Sequence, residues 1–230
     1  MKILGFDTAM GACSAAVWAD GAITAHQLRV LERGHAEALV PMLEEVRAAA
    51  GFDYRDFDFF AVTVGPGTFT GIRVGLATAR GFGLATGRAV IGVTTLEVLA
   101  RAAMEHQEPD CDTTLAVIDA RRDEVYAQAF GRGGTALWPP AILAVDDVAG
   151  KLAPGEVHVA GTGAKAVAAR LDEAGHPHSV AEDSICSYPD AAQVVRLAAE
   201  RAGSEPKGEW PAPAPLYLRA PDARLPRDRR

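Results

Sequence analysis

The sequence is poor in cysteine and has no long apolar run, and both absences limit what the protein can be. Its three cysteines, Cys13, Cys111 and Cys186, lie far apart among 230 residues. They are too few and too scattered for a disulfide framework or a zinc knuckle. No apolar run reaches the roughly 18 residues of a membrane span, and the first residues lack the apolar core of a signal peptide. We therefore expect a cytoplasmic protein without a membrane anchor.

Positive charge is scarce relative to negative charge. The chain carries 23 Lys and Arg against 30 Asp and Glu, a formal net charge of −7. This balance disfavours sequence-independent binding of nucleic acid by this chain alone. Hydrophobic residues make up 49% of a chain that is long enough for one large domain or two small lobes. The composition therefore predicts a soluble α/β protein.

Apolar runs and turn signals predict two halves that begin in the same way. Residues 3–30 read as three strands, and helices then alternate with strands over 34–104. Residues 114–118 and 124–130 again read as a strand ending in Asp and a paired strand, and 145–152 as a short helix. The prediction is a two-lobed α/β fold with duplicated βββαβα halves, an architecture that resembles the actin-like ATPase and sugar-kinase (ASKHA) superfamily.

Changes in composition set the expected lobe boundaries. Polar residues and a proline around 105–112 mark the end of a first lobe at residues 1–105. A return helix at about 190–203 is expected to pack on that lobe. The second lobe then covers 106–189, and residues 204–230 form a Pro-rich tail with a basic end that we expect to fray.

Polar side chains and glycines lie at strand ends, where such folds bind nucleotide. Asp7 and Thr8 end the first strand, and Asp119 ends the matching strand of the second half. A loop of two glycines and a proline precedes a helix, where free backbone N–H groups suit an anion. A turn that binds nothing is the alternative at each position. The candidates for a vestigial nucleotide- or phosphate-binding site are Asp7, Thr8, Gly65, Gly67, Thr68, Asp119, Gly161 and Gly163.

No group of residues predicts catalysis or a bound metal. His35 and Glu37 resemble the start of an HExxH zinc helix, but the spacing is wrong and Leu39 stands where the second histidine would be. The turn after Asp119 contains Arg121 and Arg122, although a phosphate-cradling turn needs small residues. We expect no catalytic residue, no metal and no cofactor held by this chain alone.

The helix predicted after Thr68 carries a small residue at every fourth position. Its three glycines cost roughly 3 kcal/mol of helix stability relative to alanine, so close packing against another element must offset that cost. The element that packs against these small residues belongs either to the same chain or to a partner protein. We predict that it belongs to a partner protein. The predicted partner interface comprises His35, Leu39, Met42, Leu43, Val46, Gly71, Arg73, Gly75, Ala79, Arg80 and Gly83. On this hypothesis Gly75→Leu abolishes partner binding and leaves the monomer folded.

Five strings together resemble the bacterial TsaB (YeaZ) family. They are GFDT at 5–8, RGHAEALVP at 33–41, GPGTFTGIR at 65–73, GVTTL at 92–96 and DARRDEVY at 119–126. The third and fifth strings are specific, and the resemblance covers nearly the whole chain to residue 219. It implies a subunit of the machinery that places a threonylcarbamoyl group on N6 of adenosine 37 in tRNAs reading codons that begin with A.

The resemblance also implies partners. In the catalytic relative TsaD, two histidines hold a metal, and the corresponding positions here are Thr95 and Leu99, neither of which can replace an imidazole. The family therefore implies a non-catalytic subunit that binds TsaD through first-lobe helices and helps recruit the ATPase TsaE. A homodimer would use the same face, ATP would be used by the complex, and tRNA would be reached only indirectly. The alternative is an actin-like ATPase or small-molecule kinase acting alone through Asp7, Thr68 and Asp119.

Overall fold

Apolar runs along the first part of the chain form a five-stranded mixed sheet. In the computed structural model, which describes residues 1–105, 111–182, 187–204 and 210–219, the strand order of this sheet is β3-β2-β1-β4-β5. Its strands are β1 (Lys2–Asp7), β2 (Ala12–Ala19), β3 (Ala22–Val30), β4 (Phe59–Thr63) and β5 (Ala89–Val93). Alternate residues of β1 enter opposite apolar cores, Leu4 on one face and Ile3 on the other. The sheet is therefore covered on both faces.

Three helices follow the strands of this sheet, and local capping sets their ends. They are α1 (His35–Ala50), α2 (Phe69–Thr86) and α3 (Thr95–Met104). The hydroxyl oxygen of Thr68 accepts the N–H of Gly71 at the start of α2. Thr94 and Glu97 form a reciprocal capping box at the start of α3. The sequence predicted these three helices to within about two residues at each end.

The second part of the chain forms another five-stranded mixed sheet, with the order β10-β9-β6-β7-β8. Its strands are β6 (Thr113–Arg121), β7 (Glu124–Gly131), β8 (Ala141–Ala144), β9 (Val157–Ala160) and β10 (His178–Val180), and α4 (Ala164–Glu173) packs beside them. β6 and β7 form a hairpin in which Arg121 lies opposite Glu124. The short helix predicted at 145–152 is wrong: the chain makes two 3₁₀ turns there, Val145–Asp147 and Ala149–Lys151.

The last helix, α5 (Ala191–Ser204), returns to the first sheet and packs on β1 and β2. Glycine at position 5 permits this approach, because a Cβ there would come 2.5 Å from Val195. Ion pairs then join α5 to α3: Arg201 contacts Glu97 at 2.5 Å and Arg101 contacts Glu200 at 2.6 Å. The helix is thus part of the first lobe despite its distance along the chain.

An extended segment, Trp210–Arg219, crosses the first lobe after α5. The N–H of Leu216 donates to the carbonyl of Val64 at 2.7 Å, and Arg80 donates to the carbonyl of Pro213 at 2.6 Å. Arg219 then forms an ion pair with Glu124 at the start of β7. This C-terminal segment therefore connects the first sheet to the second lobe, whereas the basic end predicted to fray, from residue 220 onward, lies outside the described residues.

The predicted row of small residues on α2 packs against the protein's own first sheet. A Cβ at Gly71 would collide with the carbonyl oxygen of Thr8, and one at Gly75 would lie 2.9 Å from Thr8 Oγ1 and 3.2 Å from Val62. Gly83 is equally close to Val90. The alternative that we set aside, packing inside the fold, is therefore correct for this row.

Alanine substitutions in α2 test this packing. We expect Gly71→Ala to lower the free energy of unfolding by about 3 kcal/mol, because the added methyl group meets backbone that cannot move away. Gly81→Ala is the matched control, since no atom of another described part of the chain lies within 4 Å of its added Cβ, and it should raise stability by up to about 1 kcal/mol. Urea unfolding measures the free energy of unfolding of both variants. A Gly71→Ala protein as stable as the wild type would contradict the close packing of α2 on the sheet.

Candidate functional site

A cleft with a volume of about 360 Å³ lies between the two lobes. One wall is formed by residues that follow β1 and β4, including Gly67 and Thr68. The opposite wall is the end of β6, with Asp119 and Arg121, and the two tyrosines Tyr126 and Tyr188 complete the lining. Residues from the ends of matching strands in the two halves therefore meet here.

The structure brings only some of the predicted nucleotide-site residues into this cleft. Gly67, Thr68 and Asp119 line it, and the side chain of Thr162 accepts the N–H of Asp119 at 3.1 Å. The other glycines support the walls. A Cβ at Gly65 would meet the carbonyl of Leu216 at 2.9 Å, one at Gly161 would collide with the carbonyl of Val117, and one at Gly163 would meet Val125 at 2.9 Å. These three glycines therefore pack against other parts of the protein.

Asp7 and Thr8 are buried behind the cleft wall instead of lining it. Oδ1 of Asp7 accepts the N–H of Ala9 at 3.1 Å and the hydroxyl of Thr63, while Oδ2 has no hydrogen-bond partner among the described residues. Burial raises the pKa of Asp7 to about 7; hydrogen bonds from Thr63 and Ala9 oppose the rise, and the charge of Asp190 adds to it. An enclosed carboxyl that is half protonated at neutral pH is a poor ligand for a divalent cation.

The turn between β1 and β2 is held by bonds within the first lobe. The N–H of Thr68 donates to the carbonyl of Ala9 at 2.8 Å, and Thr8 Oγ1 donates to the carbonyl of Gly71 at 2.7 Å. His35, at the start of α1, bonds through Nε2 to the carbonyl of Met10 at 2.8 Å. The turn therefore joins α1 and α2 to the sheet.

The turn between β6 and β7 is unusual because three consecutive residues other than glycine adopt positive φ. The values are 65° for Arg121, 59° for Arg122 and 57° for Asp123. This conformation is uncommon for such residues and costs free energy. The N–H of Arg121 donates to Asp119 Oδ1 at 2.8 Å. The side chains here keep the backbone from the close approach to a phosphate that glycine permits.

The predicted partner interface is wrong for its apolar members. Leu39, Met42, Leu43 and Val46 are at most 1% exposed and belong to the core of the first lobe, together with Ala79. Gly71, Gly75 and Gly83 pack on the sheet. Gly75→Leu would thus disturb the monomer itself. Arg80 is engaged with the C-terminal segment, and Arg73 contacts Phe69 and Tyr217 on the surface.

The outward face of the same helices carries a different set of residues, which the sequence reasoning missed. On α2 a second row of small residues, Ala77, Gly81 and Ala85, is exposed, and Leu84 beside it is 89% exposed. On α1, Val40 is 49% exposed. The signal was present in the sequence, because this row also repeats every four residues, two positions away from the inner row. We call these five residues the outer face.

Thr95 and Leu99, which correspond to the expected metal-ligand positions of TsaD, are both fully buried in α3. Within the described parts of the chain, no cluster of three or more His, Cys, Asp or Glu side chains is arranged to hold a metal ion. No described helix is both long enough and apolar enough to span a membrane.

Comparison with known proteins identifies relatives that cover most of this architecture. Residues 29–227 match the family model of TsaD, tRNA N6-adenosine threonylcarbamoyltransferase. The Escherichia coli K12 tRNA threonylcarbamoyladenosine biosynthesis protein TsaB is 37% identical over 138 residues, which are 60% of this chain and only 58% of that protein. YeaZ from Pseudomonas aeruginosa is 30% identical and superposes with a TM-score of 0.79, over 94% of this chain and 99% of that one.

A more distant match shows the fold alone. Component A of (R)-2-hydroxyglutaryl-CoA dehydratase from Acidaminococcus fermentans is 14% identical, with a TM-score of 0.55 over 89% of this chain and all of that one. Together with the two mixed sheets, these relatives confirm the predicted two-lobed α/β fold.

The buried Asp7 carboxyl predicts a specific pH dependence of stability. Its pKa is about 7 in the folded protein and near 3.8 when exposed, so the folded state binds the proton more tightly. This contribution to stability is complete below pH 3.8 and is lost as the pH rises to about 7, by up to roughly 4 kcal/mol. We expect the difference in unfolding free energy between wild type and Asp7→Asn to change across this window in urea titrations. A constant difference would contradict the burial of an ionisable Asp7.

Proposed function

This chain belongs to the TsaD family and to its TsaB (YeaZ) branch, and from this premise we propose that it is a non-catalytic subunit for synthesis of tRNA threonylcarbamoyladenosine. In this role it binds the catalytic paralogue TsaD through its first lobe and helps recruit the ATPase TsaE. ATP is consumed by the complex and not by this chain alone. The complex acts in the cytoplasm, and most of the tRNA surface is held by the partner.

The residues that form the interlobe cleft are the main support for this proposal. An enzyme of this architecture acting alone needs an accessible carboxylate for a metal ion and turns that let phosphate reach the backbone. Here Asp7 is enclosed, with one oxygen shared by Thr63 and Ala9, and the second turn is built from Arg121 and Arg122. Both features disfavour nucleotide hydrolysis and so favour an accessory role over a stand-alone ATPase or kinase.

The outer face supports the binding role. Folding buries the inner row of α2 and leaves the five small or apolar residues of the outer face exposed, four on α2 and Val40 on α1. Because small side chains allow helices to approach closely, this surface suits helix-on-helix packing with a related first lobe. In the absence of TsaD the same surface would pair two copies of this chain.

A substitution on the outer face tests the proposed interface. Gly81→Leu should weaken binding to TsaD at least tenfold, because the added side chain overfills the contact, and the monomer should keep its stability, because Gly81 faces open space. Gly203→Leu is the matched control, since it also adds a side chain to an open helical position on α5. Calorimetric titration against TsaD measures both. Unchanged affinity of Gly81→Leu would exclude this face from the interface.

Reconstitution tests the function as a whole. Purified TsaD, TsaE, a threonylcarbamoyl donor and tRNA should yield modified adenosine only when this chain is added, in an amount equal to that of TsaD, as measured by mass spectrometry of nucleosides. The chain alone should neither modify tRNA nor release phosphate from ATP with magnesium. Nucleotide turnover by the isolated chain would support the alternative of an independent ATPase or kinase.

A further inference from the structure

An exposed pair of aromatic rings lies at the rim of the interlobe cleft. The two rings belong neither to the apolar core nor to the outer face. Phe69, the first residue of α2, is 58% exposed, and Tyr217 in the C-terminal segment is 44% exposed. Their rings stack with centroids 5.7 Å apart and planes at 27°. Phe69 follows Thr68, which lines the cleft. Leaving two large rings at the surface forgoes the gain from burying them, so their position needs another reason.

Arg73 fixes the pair in place. Its guanidinium lies 3.6 Å from the centroid of the Phe69 ring, and its Nε donates to Tyr217 Oη at 3.0 Å. The C-terminal segment is itself held nearby, through the bond from Leu216 to Val64. The two rings and the guanidinium therefore form a preorganised stack, which we call the rim stack, and little conformational entropy remains to be lost when a ligand binds.

The surroundings of the rim stack are more basic than the rest of the chain. Arg73 belongs to the rim stack, Arg121 lines the cleft, Arg122 follows it in the β6–β7 turn, and Arg219 lies two positions after Tyr217. The same segments carry three acidic residues, Asp119, Asp123 and Glu124. Arg219 pairs with Glu124, and the guanidinium of Arg121 lies 4.0 Å from the carboxylate of Asp119. Two of the four arginines and two of the three carboxylates therefore offset each other, and the set keeps a formal net charge of +1.

We propose that the rim stack binds an unpaired base of an RNA, with the neighbouring guanidinium groups contacting its phosphates. Stacking on exposed aromatic rings and on arginine is the usual way in which proteins hold single-stranded RNA, and it works for any base. An acidic peptide could use the arginines but would gain little from two stacked rings. That the RNA is a tRNA rests on the proposed function; the stacking site itself does not.

The test measures binding of RNA to the isolated full chain. Fluorescence anisotropy would compare a labelled RNA hairpin that has an unpaired loop with a blunt duplex of the same stem and with AMP. We expect the hairpin to bind in preference to the duplex, and binding to weaken as salt rises, because phosphate contacts release counterions. Binding of AMP but not of the hairpin, or binding of neither, would overturn the proposal.

Variants locate the site. Tyr217→Ala and Phe69→Ala should each weaken hairpin binding by about tenfold, the usual effect of removing one stacking ring. Tyr217→Phe keeps the ring and should retain most of the affinity. Leu137→Ala removes another exposed apolar side chain, on the second lobe and 53% exposed, and should change nothing. Thermal unfolding checks that each variant is folded.

The outcomes separate this inference from the proposed function. If Tyr217→Ala loses TsaD binding but keeps hairpin binding, the rim stack is a protein contact and the inference is wrong. If the chain does not bind TsaD, yet hairpin binding depends on Tyr217 and Phe69, the RNA site stands and the proposed function fails. Wild-type hairpin affinity in both alanine variants would also overturn the inference.

Discussion

The architecture depends on the close contact between the start of α2 and the turn that follows β1. The N–H of Thr68 reaches the carbonyl of Ala9, Thr8 Oγ1 reaches the carbonyl of Gly71, and glycine at 71 leaves no side chain between the helix and the turn. This contact fixes α2 on the sheet over its whole length, since Gly75 and Gly83 continue the same close approach. The cost of glycine in a helix is thereby offset inside the monomer.

Two consequences follow from seating α2 in this way. The carboxyl of Asp7 at the end of β1 is enclosed, and burial raises its pKa to about 7, so that about half of these carboxyls carry a proton at neutral pH. At the same time the opposite side of α2, with Ala77 and Gly81, is left facing outward. One packing arrangement thus accounts both for the enclosure of Asp7 and for the exposed helical surface that we propose as the interface.

The charge of the whole chain is a poor guide to its local surfaces. A net charge of −7 argues against a broad electrostatic hold on nucleic acid, and on that ground we expected tRNA to be reached only indirectly. Binding one stacked base requires much less positive charge than sequence-independent binding along a phosphate backbone. The contact between Phe69, Arg73 and Tyr217 joins residues that are 144 positions apart in sequence, and that distance explains why composition and spacing gave no sign of it.

Local patterns were sufficient for the secondary structure and the fold type. The apolar strand Phe59–Thr63, the helix after Thr68 and the second strand ending near Asp119 each carry their signal within a few residues, because burial on two faces, capping and helical periodicity are short-range constraints. Periodicity alone could not decide which side of α2 faces the sheet. Two rows of small residues, starting at Gly71 and at Ala77, repeat every four residues, and only the tertiary structure shows that the first meets Thr8 and Val62. In the same way, the sequence places a carboxylate at the end of β1, but only packing from distant segments encloses it, because burial is a property of the neighbours and not of the residue.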